Sequence, residues 1–195
     1  MAALMLGAVC CNSNAAKIWL EPAVQGLPVF GVAPLEMWLD ASDVGGLLAG
    51  GLDLFYDETI TTYDGDFTFD AAFDTDPAFS RTGDHCFLDI TIDGCSVPGE
   101  INGIAFGNFN GIGAAGPTLV GTLTFRGADI PVLGTSFLTM ADNDVPAGSW
   151  FDVNSNPVIV DYIGADITVV PLPAAAWLMI GGLGMLAGFS RKRKA

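Results

Sequence analysis

The chain has 195 residues, room for one domain of ordinary size between terminal segments, and a formal net charge of -15. Before the last few residues only Lys17, Arg81 and Arg126 are basic, against 22 acidic residues between Glu21 and Asp166, a net of -19. Such a surface repels nucleic acid and anionic lipid and attracts cations, so nucleic acid is excluded as a partner. Eighteen of the acids are Asp and four are Glu (Glu21, Glu36, Glu58, Glu100). With Gly, Thr, Phe and Pro plentiful, the composition favours strands and turns over helices.

Residues 1–15 read as a signal peptide whose apolar core runs from Ala2 to Cys11, with small Ser13 and Ala15 placed for cleavage after Ala15. The basic residues that usually open such a signal are absent, and Gly7-Ala8-Val9 fits a lipidated Cys10 or Cys11 poorly. The expected domain is residues 17–169. Cys86 and Cys95 remain in it with eight residues between them, and in an exported domain they are expected to form a disulfide. Closing so short a loop contributes about 2.5–3 kcal/mol in the chain-entropy model.

From Lys17 the sequence reads as short strands separated by turns. Ile18-Trp19-Leu20 opens the domain, and Pro22, Gly26, Pro28 and Pro34 break up the next stretch. Leu35, Met37 and Leu39 share one face, as the period of two in a half-buried strand requires. Leu52, Leu54 and Tyr56 then alternate with Asp53 and Asp57, which are expected on the solvent side. Phe67–Asp74 and Leu88–Asp93 repeat the pattern. Later candidates are Ile101–Phe109, Leu119–Arg126, Ser136–Ala141, Val158–Ile163 and Asp166–Val169. About nine or ten short strands without a helical period predict an all-β fold, a β-sandwich.

The last 26 residues have three parts in order. Val170-Pro171-Leu172-Pro173-Ala174 is held extended by its prolines. The apolar run Ala174–Phe189 is 16 residues, roughly 24 Å as a transmembrane helix against a hydrocarbon core of about 30 Å. Arg191, Lys192, Arg193 and Lys194 would hold its end in the cytoplasm. An ordinary C-terminal anchor accounts for the span and the charges, though not for the Pro-rich motif.

Motif, span and basic end together resemble the C-terminal sorting segment of bacterial PEP-CTERM proteins, in its VPLPA-CTERM variant. The resemblance implies export in a Gram-negative bacterium, cleavage near the motif by an exosortase, and a place in the envelope, at the cell surface or in the extracellular matrix. Three internal segments also resemble cohesin-like domains: Leu35–Ser42, Ala49–Asp57 and Val120–Phe125. They imply a cohesin-like or jelly-roll sandwich. The Asp-rich stretch Glu58–Gly103 departs from that pattern and puts a dockerin-type surface in question.

Catalytic chemistry is poorly supplied. The single histidine, His85, adjoins Cys86, and neighbours on a strand point to opposite faces, so they do not form a nucleophile–base pair. Asp64/Asp66 and Asp74/Asp76 are carboxylate pairs of the kind glycoside hydrolysis uses, but in so Asp-rich a chain such pairs arise by composition. Calcium needs several oxygen ligands, and Asp142, Asp144, Asp152 and Asn154 are loop candidates for it. An EF-hand starting at Asp152 is ruled out by Pro157 and Ile163 at its Gly and Glu positions. The chain is expected to be a non-enzymatic exported protein of adhesion or exopolysaccharide and biofilm assembly, with no cofactor beyond structural calcium and a glycan or protein as ligand. The alternatives are a carbohydrate-active enzyme and a protein–protein interaction module.

Overall fold

The computed structural model of the chain describes residues 15–70, 99–128, 132–142 and 150–171. The signal segment before Ala15, the Cys86–Cys95 pair, His85, the Leu88–Asp93 candidate strand, Asp74, Asp76, Asp144 and the tail from Leu172 to Ala195 lie outside them.

Among the described residues there are eleven strands: β1 Ala15–Glu21, β2 Val24–Pro28, β3 Val32–Asp40, β4 Leu47–Phe55, β5 Thr61–Phe69, β6 Glu100–Ile112, β7 Thr118–Gly127, β8 Gly134–Asp142, β9 Trp150–Asp152, β10 Pro157–Ile163 and β11 Ala165–Val170. Among the described residues no helix is long and apolar enough to cross a membrane. The period-two pattern is the cause of most of these strands. In β3 Leu35, Met37 and Leu39 are fully buried while Glu36 faces out, and in β1 Ile18 and Leu20 are buried between exposed Lys17 and Glu21.

The strands form one continuous sheet folded over on itself as a sandwich. One layer runs β10-β1-β3-β7-β5, the other β2-β11-β8-β4-β6. The short β9 pairs with both β4 and β10 and so joins the layers. A single core fills the space between them. Leu35, Met37, Leu123 and Phe125 enter it from the first layer, and Leu54, Ile104, Phe106, Leu138 and Ile167 from the second. At about 25 cal/mol per Å², each fully buried side chain of this size contributes roughly 1.5–3 kcal/mol.

Two proline positions correct the expectation of breaks. Val24–Pro28 is a strand, containing Gly26 and ending at Pro28. It lies at the end of its layer and pairs only with β11, an edge where a missing N–H is tolerated. Pro34 sits within β3, opposite Thr124 of β7. There β1 has already ended, since its last partner in β3 is Glu36 opposite Glu21. The proline nitrogen therefore faces no strand on that side.

The first two and the last two strands are clasped together, one pair in each layer. β1 runs parallel to β10, with Trp19 opposite Ile163, and β2 runs parallel to β11, with Asp166 opposite Val24. The start and the finish of the domain thus cross between layers side by side. At the crossing, the Asp166 N–H donates to the Ala23 carbonyl at 2.9 Å. Ala15, the residue before the expected signal cleavage, is the first of β1 and is buried opposite Ile159.

Candidate functional site

The outer face of the first layer is ordered in rows across its strands. One row is charged and partly compensated: Lys17 of β1 lies between Asp161 of β10 and Asp40 of β3. The Asp40 carboxyl is held below its ordinary range chiefly by the backbone N–H and hydroxyl of Ser42, at 3.0 and 2.7 Å, with Lys17 adding to it.

Two residues further along, the next row is apolar. Ile163, Trp19, Trp38 and Leu119 stand opposite one another on β10, β1, β3 and β7. Ile163 is 54 % exposed, and the other three are half-buried. The two indoles lie 6.4 Å apart between ring centres, inclined by 17°. A third row lies beyond it, with Glu21 directly opposite Glu36. Each Glu accepts the indole N–H of its own strand's tryptophan at 3.0 Å, Trp19 to Glu21 and Trp38 to Glu36. The alternation placed Trp19 beside core residues without showing that it meets Trp38; only the β1–β3 register reveals that.

The second layer carries a different arrangement at the end of β8. Trp150 Nε1 donates to the Tyr162 hydroxyl at 2.6 Å, and that hydroxyl donates to Asp142 Oδ1 at 2.5 Å. This relay ties β9, β10 and β8 together. Burial, reinforced by the Asp142 hydrogen bond, raises the Tyr162 phenol above its ordinary range, so it stays a donor at every physiological pH. On the neighbouring strand Asp53 alternates with Leu52 and Leu54 as expected, yet it is covered, 9 % exposed, and accepts the Gly103 N–H at 2.8 Å. The expectation of a solvated Asp53 is corrected accordingly. Gly103 has φ +73°, a left-handed conformation that favours glycine and aims this N–H at the carboxylate.

Of the calcium candidates among the described residues, Asp142 and Asp152 do not converge. Asp142 lies opposite Leu52 and Asp152 opposite Leu47 along the same edge of β4, five residues apart, roughly 16 Å at strand spacing. Asp152 is engaged in its own turn. Its Oδ1 accepts the N–H groups of Asn154 and Asn156 at 2.8 Å each, and its Oδ2 accepts the Asn156 amide at 3.0 Å. These bonds, led by the Asn156 side chain, hold its carboxyl below the ordinary range. Asn154 takes part through its backbone. Among the described residues no group of three or more His, Cys, Asp or Glu is placed to hold a metal.

Two surface depressions bear on catalysis. One of about 250 Å³ is lined by Asn108, Gly111–Ala115 and Thr118, with no ionisable side chain. The other, about 340 Å³, contains Asp43 and Asp152 among Val44, Pro157, Val158 and Ile159, and its only ionisable side chains are those two carboxylates. Val170, first of the Pro-rich motif, is the last residue of β11, where its carbonyl accepts the Val29 N–H at 3.2 Å; Pro171 comes next, outside the strand.

The sequence matches no protein-family profile and no curated protein. Solved structures do match. The seventh ScaB type I cohesin from Pseudobacteroides cellulosolvens superposes with a TM-score of 0.62 at 14 % identity, over 82 % of this chain and 94 % of that one. A type I cohesin–dockerin complex from Clostridium thermocellum, Coh-OlpC with Doc435, gives 0.56 at 14 %, over 81 % and 95 %. A non-cellulosomal cohesin from the archaeon Archaeoglobus fulgidus gives 0.53 at 15 %, over 83 % and 96 %. At such identities the likeness speaks for architecture alone, and it spans nearly the whole of each cohesin. The chain has the cohesin fold.

Proposed function

We propose that the chain is an exported, non-catalytic module that binds a protein partner outside the cytoplasm. The observation that carries this reading is the cohesin fold, shared with domains solved in complex with dockerins, as in the Coh-OlpC–Doc435 pair. The sandwich presents broad strand faces, which suit the recognition of a protein surface.

The delivery of this module is part of the proposal. Val170-Pro171-Leu172-Pro173-Ala174, the apolar run and Arg191, Lys192, Arg193 and Lys194 serve as an exosortase sorting signal. They bring the domain to the cell surface or extracellular matrix of a Gram-negative bacterium, where adhesion and biofilm assembly take place. Cys86 and Cys95 form a disulfide in that oxidising setting. The test is capture from the native host's surface and matrix fraction with the immobilised full chain, identification of the retained protein, and its rebinding in purified form. A purified partner with saturable binding supports the proposal. Release of reducing sugars from matrix polysaccharide, abolished by a single Asp or Glu substitution, would replace it with an enzyme.

A further inference from the structure

We infer that the row Ile163–Trp19–Trp38–Leu119, with Glu21 and Glu36 beside it, is a docking surface for a polypeptide segment that presents basic side chains next to apolar ones. The inference rests on the protein-binding reading above and names the face and the chemistry of the partner.

The reason is the contrast between adjacent rows of one sheet face. Between Asp161 and Asp40 lies Lys17, which offsets one of their two negative charges, whereas the Glu21–Glu36 pair has no cation opposite either member in the β1–β3 register. Where Glu21 stands opposite Glu36, the cross-strand neighbour is a like charge, an arrangement that destabilises an antiparallel pair. A cation from outside would bridge the two. An indole N–H occupies one oxygen of each carboxylate, and the second oxygen is open in chemistry to a guanidinium or ammonium group. The indoles beside them add attraction for the same cation through their ring faces.

The apolar members choose among occupants. Ile163 and Leu119 extend the row as aliphatic surface at both ends, over four strands or about 14 Å at strand spacing. Both indole donors are already committed to the Glu pair, so they offer no N–H to a sugar hydroxyl. A second copy of the chain would set one acidic face against another in a domain of net -19. A basic, apolar polypeptide meets neither objection. The row then forms the water-excluded centre of the contact, and the charged rows on either side its rim.

The experiment titrates the full chain with a short alternating Leu-Arg peptide, following tryptophan emission and heat. Alternating Ser-Arg and Leu-Glu peptides, and a cello-oligosaccharide, serve as comparisons. The Leu-Arg peptide is expected to bind, and E21Q/E36Q, which keeps the indole acceptors but removes both charges, to weaken it roughly tenfold and lessen its salt dependence. W19S/W38S should weaken it as well. If that variant fails to fold, E21Q/E36Q alone decides, because it changes no packing. Equal binding of Ser-Arg and Leu-Arg peptides, indifference to E21Q/E36Q, a preference for the sugar, or a dimer in sedimentation that W19S/W38S dissolves would each overturn the assignment. Should a captured native partner bind E21Q/E36Q and W19S/W38S as tightly as the unaltered chain, the protein-binding reading stands and this face is the wrong one.

Discussion

The indole of Trp150 occupies the space that a side chain at Gly50 would need: a Cβ built on Gly50 would fall against two of its ring carbons, closer than van der Waals contact allows. Trp150 is almost wholly buried there and packs at 4.9 Å on the ring of Phe106. The glycine in β4 is therefore the other half of the tryptophan's packing site. Gly50→Ala is expected to cost about 1–3 kcal/mol through overpacking, read as a lowered melting temperature. Trp150→Leu in the same chain should return part of the loss, since the two changes act on one contact. Additive losses in the double variant would refute the relationship.

Tyr162 accepts from Trp150 and donates to Asp142, so Tyr162→Phe leaves a partly buried donor and a carboxylate without their shared partner. The expected loss is about 1–3 kcal/mol, several degrees in melting temperature for a domain of this size. Chemical denaturation with an unchanged slope would confirm that stability alone has moved. A melting curve identical to the wild type would remove the relay from the forces that join the two layers.

Gly164 sits where the chain crosses between β10 and β11, and a Cβ there would collide with the Leu138 carbonyl oxygen. Backbone cannot yield as a side-chain tip can, so Gly164→Ala should lower the yield of soluble, folded protein sharply. Gly26, on the edge strand β2, has nothing within 4 Å of the same built atom, and Gly26→Ala is the matched control, expected to fall within about 0.5 kcal/mol of wild type. The comparison is made by expression and thermal melting. Equal behaviour of the two variants would contradict the crossing geometry.

Asp40 and Asp152 both have carboxyls held below the ordinary value of 3.8. A lowered folded-state pKa contributes stability that is present above the unfolded value and lost as pH falls through the folded one. Stability should therefore be flat in these groups above about pH 5 and decline below about pH 4. Asp152→Asn, unable to titrate, is expected to shallow that decline in melting scans taken between the two regimes. A steeper decline in the variant would reverse the assigned sign.

Intact mass of protein recovered from the native host checks the sorting proposal. A mature C-terminus near Pro173–Ala174 is expected. A chain retained through Ala195 would speak for plain membrane anchoring.

Alternation was enough to find the core strands, because Leu35/Met37/Leu39 and Leu52/Leu54 each put every second side chain into the interior. The strand expected to run to Asp57 ends two residues earlier, at Phe55; the Asp57 carboxylate accepts the Thr59 N–H at 2.9 Å and closes the turn that follows. Periodicity carries no information about which strands pair. The Ile163–Trp19–Trp38–Leu119 row joins residues from four distant segments, and the Trp150–Tyr162–Asp142 relay joins three. Both became visible only through register. The break expected at Pro28 went the other way, since an edge position removes the penalty that a proline imposes inside a sheet.

The clasp of β11 between β2 and β8 has a mechanical consequence. Ladder hydrogen bonds run across the strands, whereas a pull on Val170 acts along β11. Tension entering through the C-terminal end therefore loads the bonds of both neighbours in shear, many at once, in place of unzipping them singly. A domain held at that end and gripped elsewhere by a partner would meet drag from flowing liquid along its stiffest direction.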